Sequence, residues 1–161
     1  MKTIYPIKTT LEKEVLGTSE CRFRIGECVT VQGFVQAFRN LGGTAFVGLR
    51  DHAGLIQVVV DRASENDGNL REGDIIRVTG ECRADARALY GVEISAARIE
   101  LLRRPVEPLP FSLAKKSLGL NLDTDLENRP ISLRHMSHVH RFKLQAALVG
   151  GFRQYLEPVR K

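Results

Sequence analysis

No apolar run in this 161-residue chain approaches the ~20 residues a membrane-spanning helix needs. The opening stretch, MKTIYPIKTTLEKEVLG, lacks the apolar core of a signal peptide, because charge and proline interrupt it at once. The expectation is a cytoplasmic protein with no membrane association. Cysteine is scarce: Cys21, Cys28 and Cys82 include no CxxC pair and cannot all pair with one another. That argues for a reducing compartment without a structural disulfide, and Cys28 and Cys82, inside strand-like runs, read as packed thiols. No phosphate-cradling glycine loop is found, since Gly150-Gly151 is not followed by Lys-Ser/Thr. His138 and His140, with His135 close by, have no cysteine or carboxylate cluster to complete a metal set, and at a helix start they point apart. No metal site, no resident cofactor and no catalytic residue is expected. No spacing of Ser, His and Asp suggests a triad, although triads are defined by geometry.

What the chain has is basic charge: 24 Lys and Arg against 19 Asp and Glu, a net +5. The arginines are spread through the sequence and favour a polyanionic partner. At 43% apolar and 27% charged residues, the composition is that of an ordinary globular domain plus a little extra.

Period-two patterning begins at Glu27. Val29, Val31, Gly33, Val35 and Ala37 take one face of a first strand, and Thr30, Gln32, Phe34, Gln36 and Phe38 the other. Asn40-Leu41-Gly42-Gly43 closes it. A second strand over 44–50 and a third over 55–60 are joined by Asp51-His52-Ala53-Gly54. A fourth strand covers 74–82 and a fifth 92–102, with Val92, Ile94 and Ala96 inward and Glu93 and Ser95 outward. A short helix is expected near 10–16, and the polar segment 61–71 has room for another. Five strands with an insertion between the third and fourth predict a mainly β protein, a five-stranded OB-fold barrel whose interior is filled by side chains. The expected division is 1–103 for the barrel domain, with 1–26 as an N-terminal extension, 104–135 as a linker and 136–161 as a helical segment. Pro105, Pro108 and Pro110 stiffen the linker and forbid helix. The stretch LDTDLENRPISLRH reads as charged and irregular. Val139, Phe142, Leu144, Ala146, Leu148, Phe152 and Tyr155 recur at helical spacing, with Gly150-Gly151 unfavourable inside and Pro158 as a stop.

The outward set includes Phe34, Phe38, Arg39, Phe46, Arg50, Gln57 and Glu93. Bases of single-stranded nucleic acid stack on exposed rings, arginines hold phosphates, and amides or carboxylates bond base edges. Gln57 offers a donor and an acceptor, Glu93 acceptors only, which suits the N1–H and amino donors of guanine. Arg87, in the loop before the fifth strand, adds a cation. Plainer readings compete. A single exposed phenylalanine is commonplace. A bulge near Gly33 would swing Phe34 or Phe38 into the core, and the helical tail would cover Phe46.

VQGFVQAFRNLGGTAFVGLRDHAGLIQVVV, then IIRVTGECRADARALYGVEISAARIELL, then PLPFSLAKKSLGLNLDTDLENRPISLRH, resemble the N-terminal part of aspartyl-tRNA synthetase and its relative asparaginyl-tRNA synthetase. The resemblance runs from about residue 28 to 156, and the short linker is similar to the archaeal and eukaryotic aspartyl type. It implies an OB-fold that grips a tRNA anticodon loop. It places the family's base-stacking phenylalanine at Phe46, the glutamine that reads the middle uracil at Gln57, a glutamate associated with the first-position guanine at Glu93 and a basic residue beside the loop at Arg39. Phe34 stands where the family usually has Trp, and Gln36 and Ala37 replace larger polar or charged residues. The reading of the third anticodon base, which separates Asp from Asn tRNA, is left open. FKLQAALVGGFRQYL is similar to the first class II motif, a long helix at the dimer interface. The second and third motifs, whose arginines and glycine-rich strand hold ATP, have no counterpart here. ATP and Mg would enter only with a catalytic domain in a longer protein.

The expectation is therefore a tRNA anticodon-binding module of Asp/Asn type that as it stands catalyses nothing, either a piece of a full synthetase or a short paralogue. A homodimer through the C-terminal helix is a further expectation. The rivals are a general single-stranded nucleic-acid binder on the same fold and an interaction or dimerisation module of a synthetase.

Overall fold

The long first strand is the hinge of the architecture. In the computed structural model, which describes residues 14–61 and 70–157, β2 spans Cys28–Leu41 and pairs on both of its edges. Its first half, Cys28–Phe34, runs antiparallel to β5 (Ile75–Ala84), and its second half, Phe34–Leu41, antiparallel to β3 (Thr44–Arg50). β3 pairs with β4 (Leu55–Asp61), β4 runs parallel to β6 (Val92–Arg103), and β6 returns antiparallel to β5. The five strands thus close into a ring in the order β2-β3-β4-β6-β5-β2. A two-residue strand, β1 (Val15–Leu16), adds itself to the edge of β2 in parallel. The ring belongs to one of two compact units, Met1–Pro108 and Leu109–Lys161.

Two glycines permit the closure. A Cβ on Gly33 would sit 2.3 Å from the Arg50 carbonyl oxygen, and one on Gly80 2.2 Å from that of Ser95. Both are places where one backbone presses on the next, and a side chain has no room. Inside the ring, Val31, Val35, Val47, Leu49, Val58, Ile76, Val78 and Ile94 are sealed from solvent. Each large aliphatic group among them contributes roughly 1.5–3 kcal/mol by burial.

The alternation expected for β2 holds only as far as Val35. A bulge between Val35 and Ala37 places an extra residue, Gln36, opposite β3. A one-residue insertion exchanges the faces beyond it. Phe38, expected outward, therefore packs against the core, opposite Val47. Ala37, expected inward, faces out opposite Gly48.

Two carboxylates fasten the ring's loops. Asp51 accepts from the Thr18 amide and hydroxyl at 2.7 Å each, and from the amides of Ala53 and Gly54 at 2.8 Å. It ties the 3-10 turn Thr18–Phe23 to the β3–β4 hairpin. Asp74 is fully buried and accepts from Arg104 Nε and Nη2 at 3.0 and 2.8 Å and from the Arg71 amide at 2.9 Å. Burial alone would raise both carboxyls, but these hydrogen bonds outweigh it and hold them below the ordinary aspartate value. Cys21 and Cys82 are the buried thiols, while Cys28 is exposed, a correction to the sequence reading. Cys28 opens β2 opposite Glu81, on the other face from the buried Val29 and Val31. Burial, with Cys82 alongside, pushes the Cys21 thiol up to about 12.

In the second unit, the stretch read as irregular contains two short helices. α1 (Leu122–Glu127) is capped by Asn121, whose side chain accepts from the Thr124 amide at 2.8 Å, and α2 (Arg129–Ser132) carries Pro130 in its first turn. Charge masked the caps. α3 (Met136–Leu156) runs straight through Gly150-Gly151. Its N-cap is His135, which accepts from the Ser137 amide and lies 2.8 Å from the Lys115 carbonyl oxygen through Nε2. Of the helix expected at 10–16, residues 10–13 lie outside the described residues and Val15–Leu16 is strand. Residues 62–69 and Pro158 are also outside them.

Candidate nucleic-acid interface

The outward face of β3 is Thr44, Phe46, Gly48 and Arg50, set between the buried Ala45, Val47 and Leu49. Register places Arg39 directly opposite Phe46 on β2, and Val59 opposite it on β4. Arg39 reaches this face only because of the Gln36 bulge. By strict alternation it would share the inward parity of Val35. Phe46 is partly exposed, and beside it Gly48 leaves a low floor between Ala37 and Gln57. These groups line an open groove of about 410 Å³ together with Leu41, Leu55, Leu89, Asp85 and Arg87.

Gln57 and Glu93 are partners in the parallel β4–β6 register, and Gln57 Nε2 donates to Glu93 Oε2 at 3.0 Å. Glu93 has only acceptors, so the amide must turn its nitrogen toward it. The orientation of Gln57 is thereby set by chemistry. Arg87, highly exposed, donates to Asp85 through Nε and Nη2 at 3.3 and 3.1 Å. That pairing holds the Asp85 carboxyl below, and the Arg87 guanidinium above, their ordinary values.

Of the seven residues singled out, Arg39, Phe46, Gln57 and Arg87 line one groove and Glu93 touches it through Gln57. Phe34 and Arg50 are not brought there. They form a cross-strand pair of their own, with the Arg50 guanidinium carbon 5.7 Å from the Phe34 ring centre, and Arg50 is buried where alternation put it outside. Arg50 lies four residues along β3 from Phe46, about 13 Å at 3.3 Å per residue. The groove's apolar rim, Leu41, Leu55 and Leu89, went unread, because isolated leucines in loops and at strand ends carry no periodic signal. Tyr90 also went unread. Among the described residues it is the sole non-glycine residue with positive φ, at 65°.

A closed ring of five strands in this order, with a parallel closing pair and a glycine-floored outer groove, is an OB-fold, and residues 29–102 match the tRNA anticodon family model, described as an OB-fold nucleic acid binding domain. That is the class of the protein. Over 134 residues the chain is 37% identical to the aspartate–tRNA(Asp/Asn) ligase of Sulfurisphaera tokodaii, covering 81% of this chain and 31% of that protein. It is 36% identical over 141 residues to the enzyme of the same name from Thermus thermophilus, covering 86% and 32%. The asparaginyl-tRNA synthetase of Pyrococcus horikoshii shares the fold at a TM-score of 0.77 and 22% identity, over 89% of this chain and 34% of that one. The chain thus carries an anticodon-binding OB-fold domain, with aspartate–tRNA ligases among its relatives. It spans about a third of the length of the curated relatives it matches.

Proposed function

We propose that the chain binds the anticodon loop of tRNA of the Asp/Asn type through the β3–β4 groove. The observation that carries this reading is the grouping of a partly exposed ring, a cation and a pre-oriented amide around one open groove. Phe46 supplies the stacking platform and Arg39, with Arg87, the phosphate contacts. Gln57, its nitrogen held by Glu93, presents its carbonyl oxygen and second amide hydrogen to the groove. Uracil and cytosine carry opposite donor–acceptor order at the edge such an amide reads. An amide free to flip serves either base, whereas a locked one serves one sense. Glu93 Oε1 remains for the N1–H and amino donors of a first-position guanine. Phe34 and Arg50 would act at the far end of β3. The division at 104–135 separates this RNA-binding part from a segment resembling the start of a catalytic domain, and the apolar sides of α3 fit a homodimer contact. The setting is cytoplasmic.

The test is binding of the 161-residue chain to an RNA stem-loop carrying the GUC anticodon. Phe46→Ala should weaken it by roughly 1–3 kcal/mol with the melting temperature unchanged. An equal loss of thermal stability would make Phe46 a core residue and remove the platform. Equal affinity for loops of any sequence would mean a general single-strand binder.

A further inference from the structure

Cys21 and Cys82 are both sealed from solvent and belong to one hydrophobic core, although the first comes from the turn Thr18–Phe23 and the second from β5. The backbone between them is clasped. Arg24 N donates to the Cys21 carbonyl at 3.0 Å, Gly26 N to the Cys82 carbonyl at 2.8 Å, and Cys82 N to the Glu27 carbonyl at 2.9 Å. Cys82 thus holds, through both of its backbone groups, the stretch that leads from the Cys21 turn into β2. The two thiols are hydrogen-bonding partners. Cys28 does not compete for either. It is exposed, opposite Glu81 on the face of β2 turned away from Val29 and Val31.

The pair stands apart from the Phe46 groove, whose lining includes neither cysteine. Burial holds both thiols protonated, Cys21 up to about 12 and Cys82 above its ordinary value. Their mutual hydrogen bond opposes charge on Cys21 and favours it on Cys82, so Cys82 ionises first when the turn lifts. That turn is weakly built, a 3-10 run of six residues with no side-chain hydrogen bond at its N-cap. Segments of this kind open locally while the rest of a domain stays folded.

We propose that Cys21 and Cys82 are a redox site, closing a reversible disulfide that staples the turn Thr18–Phe23 to β5. The co-reactant is a low-molecular-weight disulfide. The Cys82 thiolate attacks one of its sulfurs and releases the first thiolate. The Cys21 sulfur, giving up its proton, then attacks the Cys82 sulfur of the mixed disulfide and releases the second. The cysteines together lose two electrons, the reagent gains them, and the two thiol protons leave on its two halves. Because Thr18 is bonded to Asp51 at the β3–β4 hairpin, the staple also secures that hairpin. A disulfide formed in a reducing compartment is of the transient, redox-sensing kind. This chemistry is independent of what the Phe46 groove binds.

The experiment uses the full chain carrying Cys28→Ser, which removes the exposed thiol. It is incubated with oxidised glutathione below its melting temperature. Remaining thiols are alkylated in denaturant, and the digest is read by mass spectrometry beside a calorimetric melt. The peptides of Cys21 and Cys82 should be recovered joined, with the melting temperature raised by about 5–15 °C and restored by dithiothreitol. Cys21→Ala and Cys82→Ala, each in that background, should show no shift between oxidised and reduced samples. The comparison is made within each variant, so any destabilisation by the substitution itself cancels. If the two peptides are never joined, or carry only glutathione, the site is overturned. Joining that occurs only above the melting temperature would overturn it as well. So would a joined pair with a lowered melting temperature, because the native geometry would then not accommodate the bond.

Discussion

In the ring of strands Leu49, Ile76 and Ile94 are sealed from solvent, whereas along α3 no residue is buried. Yet α3 is rich in apolar groups. Leu144, Leu148, Phe152 and Tyr155 follow one side at helical spacing, and Phe142, Val149 and Leu156 the neighbouring side. A helix with apolar groups on several sides gains stability by burying them. The ring satisfies its own pattern, because each strand has one face to bury and the closure provides one interior. The helix has sides without an interior. The two therefore differ in what sequence change should do to them, and that difference can be tested.

The sharpest break lies in the ring. Leu49→Ala should lower stability by about 2–5 kcal/mol, read by urea unfolding, because the closed ring has little freedom to collapse on the cavity. A loss under ~1 kcal/mol would mean the ring does not hold the stability assigned to it. Next is the Asp74–Arg104 pair. Arg104→Ala should remove about 2–3 kcal/mol, below the roughly 3–5 of a wholly buried pair because Arg104 is partly exposed. Asp74's folded value is depressed, so the stabilisation is complete above the ordinary aspartate value near ~3.9 and disappears as pH falls through the lower folded value. Arg104→Ala should flatten that acid limb in a melting-temperature series. Asp51, depressed as well, will keep part of it.

Smaller again is Glu93→Gln. A glutamine there can face Gln57 with either end, so the amide lock is lost. Preference for uracil over cytosine at the middle anticodon base should fall by about 1 kcal/mol, near the low end of a bidentate base contact. Loss of first-base preference alone would show that Glu93 acts on guanine and leaves Gln57 unguided. The smallest thermal effect belongs to α3. Phe152→Asp should change ring stability by less than ~0.5 kcal/mol while converting a dimer to a monomer in light scattering. An unchanged mass would rule out α3 as the homodimer contact.

Much of the ring was legible. Gly42-Gly43 and Asp51–Gly54 mark its two tight turns, and alternation around Val47 and Val58 identifies their strands, because a side-chain period of two survives wherever pairing is regular. Phe46 and Gln57 were legible as outward groups for the same reason. Phe38 and Ala37 were misread, because an extra residue in a ladder leaves no mark on composition and reverses every face downstream. Arg50 keeps its outward parity on β3 but is buried there beside Phe34. Arg39 was read among the outward residues, although strict alternation along β2 would have turned it inward; the bulge at Gln36 is what places it opposite Phe46. Tyr90 carried no signal, because a left-handed backbone is set by the turn's own hydrogen bonds, whichever residue occupies it.

The amino-acid sequence by itself determined the strands, their turns, the basic balance and the family, because each of these depends on local pattern or on residue identity along the chain. Only the tertiary structure decided that Arg39 faces Phe46, that Gln57 is held by Glu93 and that Arg50 stands apart. Those facts depend on register between strands far apart in the chain, and register is fixed when the ring closes.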